Sequence, residues 1–203
     1  ARRPLRRGAV HMVHLLAPPH SRAQAVGGAG RAQLLWSYLR NGDNPLAHPD
    51  ALGAGLKRAA ATLEQLTSTV ELNTASTCGT RKLLLRLEDG HAVESVIIPS
   101  ARFSTLCVSS QVGCKRACAF CATGAMGLQR ALGTHEILAQ CFAAVRAAKS
   151  ARMPPIRNVV FMGQGEPLDN LVAVGESLEA LTHPHAFGFH KKHVCVSTVG
   201  PSP

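Results

Sequence analysis

The sequence predicts an α/β fold: parallel strands crossed by helices, behind a small helical module and a β-hairpin. Three observations predict it. Short strand-like runs alternate with helix-periodic ones from Thr105 onward, Asp89-Gly90 separates two alternating segments, and an apolar stripe at helical spacing starts near Arg31. Of 203 residues, 46% are hydrophobic and only 4% aromatic, so alanine and leucine must carry much of the core.

Residues 1–29 mix Arg, His, Pro and Gly without periodicity, and the expectation is a disordered basic segment. In the helical module, residues 30–70, Leu34, Leu35, Tyr38 and Leu39 form a stripe that Asn41-Gly42 ends. A second helical stretch runs from Pro49 to about Leu66, with Leu52, Leu56, Ala59, Ala60 and Leu63 on one face.

The third region, residues 71–203, opens with the hairpin: Lys82–Glu88 and Ala92–Ile98 joined at Asp89-Gly90. Thr105–Gln111 reads as one further strand. Thr134 is placed to cap a helix over His135–Lys149, with Ile137, Leu138, Cys141, Phe142 and Val145 inward. Arg157–Met162 reads as a strand, Leu171–Leu181 as a helix and His193–Thr198 as another strand. Such a βαβαβ run implies parallel strands. Chemistry in these folds gathers at the strands' C-terminal ends, where the cysteine-rich loop, Gly163–Leu168 and Ser197–Gly200 all fall.

The formal charge is +10 and the pI about 9.8, which fits a polyanionic partner such as nucleic acid. Seven arginines and no acidic residue lie in the first 40 positions. That segment also reads as the remnant of an organelle-targeting peptide, so the expected location is the cytoplasm, or a chloroplast or mitochondrion if the segment is a targeting signal. No run of about 18 uninterrupted apolar residues exists, and no membrane partner is expected. A monomer is the expected state.

Seven cysteines include three within eight residues, Cys114, Cys118 and Cys121, at C-x3-C-x2-C spacing. Clustered thiols with no secretory leader read as a metal site in a reducing compartment. Three thiolates suit a four-iron cluster with one iron left open, whereas structural zinc takes a fourth ligand. The nearest candidate, His135, stands fourteen residues downstream at a helix start. A zinc knuckle remains the alternative.

The spacing, with Phe120 before the last cysteine, resembles the signature of radical S-adenosylmethionine (SAM) enzymes. More narrowly, Leu106-Cys107-Val108-Ser109-Ser110-Gln111-Val112-Gly113-Cys114 and Phe120-Cys121-Ala122-Thr123-Gly124 resemble the RlmN/Cfr family. Met162-Gly163-Gln164-Gly165-Glu166-Pro167-Leu168 and Val196-Ser197-Thr198-Val199-Gly200 match in order as well. The resemblance runs from about Arg31 to Gly200. It implies the first half of a partial (βα)6 radical-SAM barrel, a [4Fe-4S] cluster on Cys114, Cys118 and Cys121, and SAM contacts from Gly165, Glu166 and Ser197.

It further implies that Cys107 resolves a protein–RNA thioether by forming a disulfide, and that Glu94 takes a proton. The implied activity is methylation of adenine C2 in ribosomal RNA, with transfer RNA a further substrate, fed by an electron donor such as flavodoxin or ferredoxin. C8 methylation of the Cfr type and a non-catalytic iron–sulfur RNA-binding fragment are the alternatives. The family's methyl-carrying cysteine has no match, since no cysteine follows Cys195, and the chain starts at Ala1 and stops at Pro203. The expectation is therefore a partial chain that does not complete the reaction alone.

Overall fold

The computed structural model describes residues 29–43 and 69–200. The basic segment and the Pro49–Leu66 helix expected above lie outside these. Helix α1 (Ala29–Arg40) ends as its sequence predicts, with Gly42 at φ +69° in the turn that follows. Leu35, Trp36 and Leu39 are buried, and the Trp36 ring meets Phe187 edge-on at 5.3 Å.

Among the described residues eight strands follow: β1 (Thr69–Ala75), β2 (Arg81–Arg86), β3 (Ala92–Pro99), β4 (Ser104–Cys107), β5 (Gln111–Gly113), β6 (Leu128–Ala131), β7 (Ile156–Phe161) and β8 (Val194–Val196). Helices α2 (Thr134–Ser150) and α3 (Leu171–Thr182) separate the last three. Six strands form one sheet in the order β1-β2-β3-β4-β7-β8. The β1–β4 pairings are antiparallel, whereas β4–β7 and β7–β8 are parallel. The βαβαβ expectation holds. The hairpin is not a separate unit, because β3 pairs with β4 and continues the parallel sheet.

The period-2 pattern decides which way the sheet faces. Leu83, Leu85, Val93, Ile97, Leu106, Val159 and Phe161 are buried on one face, in the same core as Ile137, Leu138 and Cys141 of α2 and Val174 and Leu181 of α3. Each such side chain contributes about 1.5–3 kcal/mol by leaving water. Their neighbours point the other way. The row Lys82–Val96–Cys107–Val160–Cys195, partner to partner across five strands, lies on a face left half-buried or exposed.

Three expectations change. Thr105–Gln111 is not one strand: the chain leaves the main sheet after Cys107, and Gln111–Gly113 pairs with Leu128–Ala131 in a separate two-stranded sheet. Alternation along the run could not show that its two halves pair with different partners. β1 and β6 also went unseen, since both are largely exposed: β1 carries only Val70 and Leu72 in alternation, and β6 is four residues long. Finally, Gly133 is the residue capping α2; the Glu136 carboxylate accepts from its N–H at 2.8 Å, and the Thr134 hydroxyl donates to Glu176.

Candidate active site

The loops after β4, β7 and β8 meet at the C-terminal edge of the parallel strands. The Ser109 hydroxyl donates to the Glu94 carbonyl at 2.7 Å and accepts from Gln164 N–H at 2.9 Å. The N–H groups of Ser110 and Gln111 donate to the Gln164 carbonyl at 2.8 and 3.1 Å. Asn170 bridges the carbonyls of Ser110 and Leu132, at 2.8 Å each. The cysteine loop therefore starts from a base tied to β3, to the β7 loop and to β6.

Gly113 sits at φ +73° immediately before Cys114, and a Cβ there would fall 1.8 Å from the Gly127 carbonyl oxygen. That carbonyl accepts from Cys114 N–H at 3.1 Å, which closes the loop at its base. Within it, Ala117 holds φ +47°, a left-handed conformation that costs a non-glycine residue about 1–2 kcal/mol. Arg116 forks onto the Asp169 carboxylate and Lys115 adds an ion pair at 3.3 Å, fastening the loop to the turn before α3. The Arg116 guanidinium holds the Asp169 carboxyl below the usual carboxylate range.

Cys114 is buried, while Cys118 and Cys121 are half-buried, and none is in a disulfide. Arg116 N–H donates to Cys114 Sγ at 3.4 Å. The Gly124 N–H, with help from Thr123, lowers the Cys121 thiol, favouring the thiolate that a metal needs. The sulfurs do not form a ready ligand triangle: among the described residues, no three His, Cys, Asp or Glu side chains are placed to hold a metal ion. The donor set still fits an iron–sulfur cluster, with three free thiols in one loop and N–H groups directed at sulfur.

Glu166 is 3% exposed. Its Oε1 accepts from Leu168 N–H (2.9 Å) and Thr198 Oγ1 (2.7 Å), and its Oε2 from Val199 N–H (3.0 Å). Burial alone would push this carboxyl up, but the three donors outweigh it and hold it below the usual range. The side chain thus welds the β7 loop to the β8 loop, with room for one further donor. Beside it, Gln164 Oε1 and Ser110 Oγ are buried without a partner. These are polar atoms available to a group the chain does not itself supply.

Gly165, at φ +101°, is required by the chain's own packing, because a Cβ would lie 2.6 Å from Gln111 Cβ. The close approach the structure shows is to the base of the cysteine loop. Ser197 is exposed on the same edge.

Glu94 and Cys107 both face the open side of the sheet. They are diagonal neighbours on β3 and β4, given the pairing of Val96 with Cys107, a relation that places Cβ atoms about 7–8 Å apart. Burial pushes the Cys107 thiol up, partly offset by Met162 N–H. Glu94 pairs with Lys82 at 3.0 Å.

Sequence reasoning missed Gln140, which is fully buried on α2. Its Oε1 accepts from Ser95 Oγ and Ser109 N–H, both at 2.8 Å, and its Nε2 donates to the Ser109 carbonyl at 2.9 Å. The available signal was a glutamine on the stripe with Ile137, Cys141 and Ala144, where an apolar residue belongs.

Comparison with known proteins agrees with this arrangement. A sequence model of the radical SAM superfamily matches residues 108–203. The dual-specificity RNA methyltransferase RlmN of Geotalea uraniireducens is 53% identical over 129 residues, covering 64% of this chain and 36% of that protein. The "Probable dual-specificity RNA methyltransferase RlmN" of Gemmatimonas aurantiaca is 41% identical over 189 residues, covering 92% of this chain and 49% of its own length. A crystal structure of a radical SAM methyltransferase from Sphaerobacter thermophilus superposes with a TM-score of 0.77 at 34% identity, over 86% of this chain and 52% of that one. The chain spans from about a third to half of the length of these proteins.

Proposed function

We propose that this chain is a member of the radical SAM superfamily, on the side of its RlmN/Cfr family, and that it forms the cluster- and SAM-binding part of an adenine-C2 RNA methyltransferase. The observation that carries the reading is the convergence of the cysteine loop, the Gly163–Leu168 turn and the Ser197–Gly200 segment on one edge of the parallel sheet, joined through Glu166 and Gln164. The substrate class is ribosomal RNA, with transfer RNA as a further one, and flavodoxin or ferredoxin supplies electrons.

In this reading Cys114, Cys118 and Cys121 hold a [4Fe-4S] cluster. When bound, such a cluster supplies the electron that splits SAM into methionine and a 5′-deoxyadenosyl radical. Arg116 and Asp169 keep the cysteine loop against the β7 loop, so the SAM-binding residues and the thiols move as one body. The remaining acceptor capacity of Glu166, with the unpartnered Gln164 Oε1, receives the SAM ammonium, and Gly165 brings the backbone there. Ser197 contributes a hydroxyl from the β8 edge. Cys107 stays a thiol until its resolving step, held so by burial. Glu94, beside it on the open face, accepts the proton leaving adenine C2 once the ion pair with Lys82 opens.

Anaerobic reconstitution with iron and sulfide should give a brown protein with a four-iron spectrum that cleaves SAM to 5′-deoxyadenosine, and Cys118→Ala should lose both properties. A colourless product with stoichiometric zinc would end the reading. Adenine C2 is tested with C2-deuterated RNA and a chain that continues through the methyl-carrying cysteine. Loss of the label is expected, and its retention would point to C8.

A further inference from the structure

A second feature lies at the other end of the sheet. A cleft of about 890 Å³ opens at the N-terminal edge of the parallel strands, between the end of α1, the end of α2 and the segments entering β4, β7 and β8. Arg102 and Phe103 precede β4, Arg157 is the second residue of β7, and Lys192 and His193 precede β8. Among the described residues, no acidic one lines it.

Elsewhere, several cations are matched by carboxylates, Arg86 by Glu71, Lys82 by Glu94, Arg130 by Asp89 and Glu136, and Arg116 by Asp169, while Arg81 donates to Asn73 Oδ1. Within the cleft, among the described residues, Lys149 alone has such a partner, Asp43. Among the described residues, Arg102, Arg157 and Lys192 face no carboxylate. The Arg157 guanidinium lies 5.4 Å over the Phe103 ring and donates to His193 Nε2 at 3.2 Å. Burial and the charges of Arg157, Lys192 and His190 lower the His193 imidazole, as expected in a positive field. Phe189, stacked on Phe187 at 5.8 Å, adds a flat apolar wall.

Unneutralised guanidinium and ammonium groups interleaved with aromatic rings match a sugar–phosphate chain better than they match an acidic peptide, because the rings offer faces on which bases stack. We propose that this cleft is a second RNA-binding site, seating the sugar–phosphate backbone at the end of the sheet remote from the cysteine loop. The inference rests on the RNA reading above. Strands of 4–6 residues, rising about 3.3 Å each, put the cleft about 13–20 Å from the reactive loops. A segment of the substrate distant from the target base is therefore what it holds.

The test is fluorescence anisotropy with a single-stranded RNA oligonucleotide of mixed sequence, titrated across salt concentrations. Arg102→Gln/Lys192→Gln alters two exposed side chains and should weaken binding by about tenfold. It should also lower the slope of log K against log salt by about 1.4, at about 0.7 for each phosphate no longer neutralised. Arg157→Gln added to that pair should weaken binding further, while SAM cleavage stays at the parent level in both variants. A control, Arg81→Gln/Arg86→Gln on the hairpin, should leave the slope in place. Equal weakening in the control, or an unchanged slope in the cleft variants, would overturn the proposal and spare the RNA reading. Loss of inorganic phosphate binding with RNA binding intact would overturn it as well. No RNA binding by the parent chain would overturn both.

Discussion

Replacing Gln140 by leucine keeps the size of the side chain and removes its hydrogen bonds from a fully buried position. The Ser95 hydroxyl, the Ser109 N–H and the Ser109 carbonyl are left without their partner, and Ser95 and Ser109 are 1% and 0% exposed. A buried polar group left unpaired costs about 1–3 kcal/mol. Three give about 3–9 kcal/mol, of which leucine recovers about 2 by burial and the Ser95 hydroxyl more by rotating. The expected net loss is about 1–6 kcal/mol, a large share of a typical domain's stability of about 5–15 kcal/mol. Urea unfolding should show a lower midpoint at an unchanged m-value. Because Ser109 begins the cysteine loop, iron retained after reconstitution should fall as well. A loss below about 1 kcal/mol with full iron content would refute the claim that Gln140 holds the loop base.

Gly165→Ala should cost about 1–3 kcal/mol, since it forces a side chain into φ +101° against Gln111; urea unfolding and the Kd for SAM check this. Glu166 and Asp169 have folded-state carboxyls held below their unfolded values, so their contribution is present above about pH 4 and is lost as pH falls through the folded values. Stability measured from pH 7 down to pH 3 should fall at the acid end, and less steeply in Glu166→Gln. Cys78, exposed and held by the hydroxyls of Ser76 and Thr80, has its thiol lowered to about 7, whereas burial pushes Cys141 up to about 12. Alkylation followed by mass spectrometry should label Cys78 with a half-maximal rate near pH 7 and leave native Cys141 untouched; Ser76→Ala should move the Cys78 profile upward.

Much of the fold could be read from local chemistry. The Asp89-Gly90 turn, the stripe through Ile137 and Cys141 and the strand at Arg157–Met162 each rest on residues a few positions apart, and each has its counterpart in the structure. The break after Cys107 could not be read this way, because it depends on Leu128–Ala131 offering a different ladder to Gln111–Gly113. The candidate site divides in the same manner. The three cysteines declared themselves by spacing, and the converging loops by following strands. What Glu166 binds within the chain, and why Gly165 must be glycine, depended on Thr198, Val199 and Gln111, up to 54 positions away.

By itself, then, the sequence determined the thiol triplet, the strand–helix alternation and the basic character of the chain, since each is a property of composition or short-range periodicity. Tertiary structure alone decided that the hairpin joins the parallel sheet and that Glu94 and Cys107 share its open face. It also decided that Gln140 and Glu166 tie the reactive loops together, and that unmatched cations gather at the opposite edge. Cross-strand register and the pairing of buried polar groups are satisfied globally, by whichever long-range arrangement leaves the fewest donors, acceptors and charges without partners in the core.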